Sequence, residues 1–179
     1  MKFTRLVLRK VARTVLMVGE GQSEAFFLRH LVSIYVQRGS GVRVTIKNAR
    51  GKGALHVVDV AIRQSRNADY DERAALLDTD VGWDAATERT ARQGGIRVFP
   101  ATPCLEALLL QIHQRPIENR TTAQLKTAFV AEFGKPASDL SVYAHHFNVG
   151  RLEDARKRMP MIENLLRLIQ TGMGNVKLK

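Results

Sequence analysis

Short apolar runs alternate with longer stretches of helical period over the first two thirds of this chain. Thr14 to Gly19 contains the unbroken apolar run Val15-Leu16-Met17-Val18, which reads as a strand buried on both faces. From Ser23, a candidate cap, to about Gln37, the residues Phe26, Phe27, Leu31, Ile34 and Tyr35 recur at helical spacing, and Gly39-Ser40-Gly41 ends the element. Val42, Val44 and Ile46 then alternate with Arg43, Thr45 and Lys47, a half-exposed strand with a basic outer face. Gly51-Lys52-Gly53 turns the chain into a helix over 54–65. Arg73 to Leu77 is a short strand, Trp83 to Gln93 a helix closed by Gly94-Gly95, and Ile96 to Phe99 a further strand. A helix follows from Pro103 to about His113, with proline at its first position behind Thr102. After Arg115 the strand signals stop, and 122–133, 138–146 and 150–170 read as helix, the last interrupted at Pro160. The pattern predicts an α/β core over residues 1–114, a mostly parallel sheet flanked by helices, with a helical C-terminal extension, 115–179, packed on it.

Composition narrows the class. At 179 residues and 45% hydrophobic content the chain suffices for one domain with a sizeable core and is not disordered. A single cysteine, Cys104, excludes a disulfide framework and a Cys-rich zinc site. The apolar run after the basic start is shorter than the roughly 7–15 residues of a secretory signal. No stretch reaches the ~20 apolar residues of a membrane span. The expectation is a cytoplasmic protein without a membrane partner.

Charge changes the picture more. The net charge is +11, unevenly spread. Residues 1–13 hold five cations and no acid, and residues 38–52 hold Arg38, Arg43, Lys47, Arg50 and Lys52, again with no acid. Residues 59–88 invert this, with eight acids against Arg63, Arg66 and Arg73. A basic surface with one acidic segment favours nucleic acid, DNA or RNA, as partner through phosphate contacts and counterion release. A solvated basic surface or an acidic protein partner is the alternative.

Five carboxylates stand where metal-dependent phosphoryl transfer would want them: Glu20, Glu24, Asp78, Asp80 and Glu106. In parallel sheets functional groups gather beyond the carboxyl ends of the strands. Glu20 ends the first strand and Asp78 the third, Asp80 follows two residues on, and Glu106 lies in the first turn after the fourth. Such oxygen donors suit Mg²⁺ or Mn²⁺. Structural roles compete: Asp78 and Asp80 as strand-end turn residues, Glu24 and Glu106 as acids at helix starts.

Lys52, with Arg50, is the candidate for neutralising phosphate charge in the transition state, although Gly51-Lys52-Gly53 is not a Walker A loop and also reads as a flexible basic turn. His113, His145 and His146 are candidate bases, but capping and surface roles are commoner, and adjacent histidines on a helix do not share a site. His56 falls in an apolar helical run, Cys104 lacks an evident base, and Trp83 reads as packing.

The ordered set Glu20-Gly21-Gln22-Ser23-Glu24, Asp78-Thr79-Asp80 and Thr102-Pro103-Cys104-Leu105-Glu106, each after a strand, resembles the RloB-like branch of the Toprim (topoisomerase–primase) fold. Ala68-Asp69-Tyr70-Asp71 also fits that pattern, and the resemblance covers about residues 14–115. It departs in having Ser23 in place of a threonine, and Leu105 and Ala107 in place of aromatic residues. The resemblance implies metal bound by Glu20, Asp78 and Asp80, with Glu24 and Glu106 as further or outer ligands. It also implies kinship with the overcoming-lysogenization-defect type of nuclease, which cuts DNA with two metals, and an ATPase partner in a prokaryotic defence or restriction-associated system.

Two functional expectations follow. One is a Mg²⁺- or Mn²⁺-dependent nuclease with Glu20, Asp78, Asp80 and Lys52 as its catalytic set. The other is a non-catalytic nucleic-acid-binding or regulatory subunit of an ATPase-containing complex. Nucleotidyl transfer ranks behind both, since the sequence offers no nucleotide site.

Overall fold

The computed structural model describes residues 12–170. The cations Lys2, Arg5, Arg9 and Lys10 of the basic start lie outside them, as does the end of the C-terminal extension.

Four strands, β1 (Arg13–Gly19), β2 (Val42–Asn48), β3 (Glu72–Asp78) and β4 (Arg97–Ala101), form one parallel sheet in the order β2-β1-β3-β4. The two central strands are those whose apolar runs are unbroken. Val15 and Met17 of β1, with Ala74 and Leu76 of β3, face one apolar layer, while Leu16 and Val18, with Ala75 and Leu77, face another. All eight are fully buried, as strands covered on both faces require. β2 is an edge strand, and its alternation reflects that position: Val44 and Ile46 pack against the first layer, and Arg43 and Lys47 are exposed.

Helices complete the crossovers. α1 (Gln22–Tyr35) links β1 to β2 and covers the first face. α2 (Ala54–Ser65) and α3 (Ala85–Gln93) lead into β3 and β4 and cover the second. The chain therefore steps from β1 to one neighbour, β2, and then returns to place β3 on its other side. That reversal is the switch point at which open α/β sheets leave a crevice beyond their carboxyl ends.

α4 (Leu105–Ile112) follows β4, and α5 (Thr122–Phe133), α6 (Leu140–His146), α7 (Val149–Arg158) and α8 (Pro160–Gln170) complete the chain. Leu125, Phe129, Phe133, Tyr143, Phe147, Leu152, Leu165 and Leu168 from these last helices join Phe27, Leu31 and Leu109 in the layer on the α1 side. The helical extension thus thickens one face of the sheet. The expected class, an α/β parallel sheet flanked by helices with a helical C-terminal extension, is the one adopted. Among the described residues no helix is long and apolar enough to cross a membrane.

Three helix starts differ from expectation, α3 beginning at Ala85 behind the cap Asp84 rather than at Trp83. Ser23 lies inside α1 rather than capping it: the cap is Gly21, whose N–H donates to Glu24 Oε2 at 2.7 Å. α4 begins at Leu105, not Pro103. Cys104 is its extended cap residue, and the Leu105 N–H donates to Asp78 Oδ1 at 2.9 Å. A carboxylate on a neighbouring strand does the work that local capping chemistry was expected to do. Pro103 instead follows a cis bond, and its carbonyl accepts from the N–H groups of Thr79 and Asp80 at 3.0 and 3.1 Å.

Candidate metal centre

Glu20 leaves the end of β1 beside the end of β3. Its N–H donates to the Leu76 carbonyl at 3.1 Å, and its Oε2 accepts from the Asp78 N–H at 3.0 Å. The two strand-end acids expected to share a crevice therefore touch across the switch point. Glu24, one turn into α1, is only 6% exposed although charged residues are almost never so buried without a partner. Its position follows from the close approach of α1 to β1. A Cβ on Gly19 would stand 2.8 Å from the Ala25 nitrogen and 2.9 Å from the Glu24 Cβ, so only glycine lets the helix start there. Replacing Gly19 by alanine is expected to force the first turn of α1 outward and cost about 1–3 kcal/mol of stability, as overpacking does. Urea denaturation checks this, and an unchanged midpoint would count against the assigned contact.

Glu106 occupies the first turn of α4, immediately after the buried Cys104 that starts the helix. Burial, together with Glu106 and Asp78, pushes the Cys104 thiol up to about 12, so it stays protonated and is no nucleophile. Asp80 is exposed beyond β3, where its Oδ2 accepts from the Thr122 hydroxyl at 2.9 Å.

The other four acids all lie within electrostatic reach of Asp78. Burial raises Asp78 to about 8, and Glu24, Glu20, Glu106 and Asp80 all push in the same direction. Glu24 is raised by burial and then by Glu20 and Glu106, against the lowering effect of the backbone N–H groups at its cap. Tyr143, whose hydroxyl lies 2.7 Å from the Ala137 carbonyl and 3.0 Å from that of Ser23, is raised by burial and by Glu24 and Glu106. Among the described residues none of the five carboxylates has a salt-bridge partner.

Acids gathered at one sheet edge without a counter-cation fit a hard divalent ion, which takes oxygen donors and would remove the repulsion. As the side chains stand, no three metal-ligating groups among the described residues converge into a finished coordination shell. Four of the acids each spend an oxygen on a protein donor: Glu20 on Asp78 N–H, Glu24 on Gly21 N–H, Asp78 on Leu105 N–H and Asp80 on the Thr122 hydroxyl. A carboxylate has two oxygens and room for a further partner on each.

The basic candidates border this edge. The loop after β2 crosses the end of β1, with Gly51 N–H donating to the Glu20 carbonyl at 2.8 Å and Ala54 N–H to the Val81 carbonyl at 3.3 Å. Arg50 and Lys52 are exposed on either side of Gly51. His56 stands behind that loop in the first turn of α2, and His113 and His146 lie at the far end of α4. His113 caps the far end of α4 from Glu106, its Nε2 is 2.9 Å from the His146 carbonyl, and its ring packs edge-on against Phe133 and Phe147. His145 bonds back to the Ser141 carbonyl, and His56 to that of Ala49. Trp83 packs against the α2-side layer.

Sequence reasoning missed Thr122, Gly19 and the Leu105 N–H. Only Gly19 carried a signal, a glycine ending an apolar strand immediately before an acid. In comparisons with protein-family models, curated proteins and solved structures, nothing matched the chain.

Proposed function

We propose that the protein is a divalent-metal-dependent nuclease of the Toprim type, hydrolysing phosphodiesters in DNA or RNA. The observation that carries this reading is the gathering of acids at the switch point, where Glu20 accepts from Asp78 N–H and Glu24, Glu106 and Asp80 lie within electrostatic reach of Asp78, none with a salt-bridge partner among the described residues, in a chain of net charge +11. Glu20, Asp78 and Asp80 would hold Mg²⁺ or Mn²⁺, with Glu24 and Glu106 as further or outer ligands. When bound, the ion supplies Lewis acidity toward the phosphoryl oxygens and the attacking water.

The chain's own residues do the rest. The backbone N–H of Asp78 orients Glu20 by donating to its Oε2, and its other oxygen can accept a proton from water. Leu105 N–H fixes Asp78, and Thr122 steadies Asp80. Lys52 and Arg50 offset phosphate charge from the loop beside Glu20.

A second reading, a non-catalytic regulatory subunit of an ATPase-containing defence complex, is favoured by one observation: Asp78 and Glu24 already serve as long-range and local helix caps. A metal-titrated cleavage assay on labelled single- and double-stranded DNA and RNA tests the first reading. It is joined by thermal denaturation with and without Mg²⁺ or Mn²⁺. An ion at 100 times its Kd is expected to add about 2.7 kcal/mol of stability. No stabilisation and no cleavage by folded protein at millimolar ion would leave the second reading standing.

A further inference from the structure

β2 and the loop after it carry a succession of exposed cations. Arg43 and Lys47 are exposed and lie level with Thr14 and Val18 of β1, on the sheet face that α2 covers at β1 and β3. Beyond β2 the loop carries Arg50 and Lys52 across the end of β1, where its Gly51 N–H meets the Glu20 carbonyl at 2.8 Å. No acid occurs between residues 38 and 52. Among the described residues none of these four cations has a carboxylate partner.

The backbone of the loop adds an independent observation. Arg50, Gly51, Lys52 and Gly53 have φ values of +65°, +77°, +79° and +83° in succession. Such a run suits glycine, and non-glycine residues enter that region uncommonly. Two long cations nevertheless occupy it, at the rim of the carboxylate cluster. A sterically disfavoured backbone held at such a place points toward function rather than packing, and Gly51 has no neighbour within contact distance of a Cβ position.

We propose that the β2 edge and the Arg50–Gly53 loop form a track for a nucleic-acid sugar–phosphate backbone, running from Arg43 and Lys47 over Arg50 and Lys52 to the carboxylates. The inference rests on the nuclease reading and adds to it where the substrate lies and which way it enters. Cations spaced along an edge strand meet successive phosphates without reading bases, so the track is sequence-tolerant. An acidic protein would be the other occupant of such a strip, but it would not need delivery to a metal centre.

The test is equilibrium binding of fluorescein-labelled oligonucleotides to the full chain in EDTA, where cleavage is silent, over a series of salt concentrations. Each lost phosphate contact is expected to lower the slope of log K against log salt by about 0.7 for single strands or 0.9 for duplex. Arg43→Ala, Lys47→Ala, Arg50→Gly and Lys52→Gly should each do so. The two glycine variants suit the local backbone and are expected to keep or raise the melting temperature while binding more weakly. Arg66→Ala and Arg92→Ala, exposed near the helix ends remote from the carboxylates, should leave the slope unchanged. Slopes unaltered in the four variants, with the wild type binding normally, would overturn the track and leave the nuclease reading intact. A wild type that binds no oligonucleotide at all would overturn both.

Discussion

Alanine at both Asp78 and Asp80 is expected to abolish metal-dependent cleavage while leaving nucleic-acid binding intact or stronger. The size of the effect follows from what the ion would supply. Charge stabilisation by a catalytic metal is worth several kcal/mol, and each 1.36 kcal/mol is tenfold, so cleavage should slow by roughly 10³-fold or more. Binding is expected to respond in the opposite sense, because two negative charges would leave the rim of the proposed phosphate path. Asp78→Ala also removes the acceptor of the Leu105 N–H, a capping loss of about 1 kcal/mol that a folded-state check by circular dichroism accommodates. The measurement is single-turnover cleavage of end-labelled substrate across a Mn²⁺ titration. Undiminished cleavage by the folded double variant would sink the assignment of these acids.

How far this site was legible depends on the range of each interaction. The central strands could be read because burial on both faces demands an unbroken apolar run, and Val15–Val18 and Ala74–Leu77 meet that demand. The half-exposed character of β2 was visible in its alternation with Arg43 and Lys47, and its edge position accounts for that exposure. That Glu20 and Asp78 would meet followed from both ending strands of one parallel sheet. Their strands were expected to be neighbours, as β1 and β3 are, but the placement of β2 and β4 outside that pair did not follow, since it is set by tertiary packing of α1 on one face and α2 on the other. Two of the missed helix starts share one cause. Local capping chemistry favoured Ser23 and Pro103, but Glu24 reached back to Gly21 and Asp78 reached across from β3 to Leu105. Carboxylates drawn to one sheet edge took over the backbone donors nearby. The Thr122 hydroxyl on Asp80 spans 42 residues and left no local trace.

The same crowding predicts a variant that is more stable and less functional than the wild type. In the unfolded chain Asp78 ionises near its ordinary 3.8, and in the folded chain burial and the four neighbouring acids raise it to about 8. Between those values the folded state holds a proton that the unfolded state has released, so stability falls as pH rises. The contribution of Asp78 is present below about pH 4 and lost progressively toward pH 8. Asparagine at this position keeps an oxygen to accept from Leu105 N–H, replaces the other oxygen with an N–H donor group, and does not ionise. In EDTA at pH 8, Asp78→Asn should therefore be the more stable protein by on the order of several kcal/mol, since each tenfold change in proton affinity is worth about 1.4 kcal/mol. The gap should close toward pH 4. Addition of Mg²⁺ or Mn²⁺ should reverse the ranking, because the ion stabilises the wild type by binding its folded state and finds a ligand missing in the variant. On the proposed function, the repulsion that Asp78→Asn relieves is what an ion would draw on, a trade-off general to functional sites. Urea midpoints for both proteins at pH 5 and pH 8, with EDTA and with metal, measure all of this. A variant weaker than the wild type by the same amount at both pH values would show that Asp78 is a structural cap whose charge the fold does not resist.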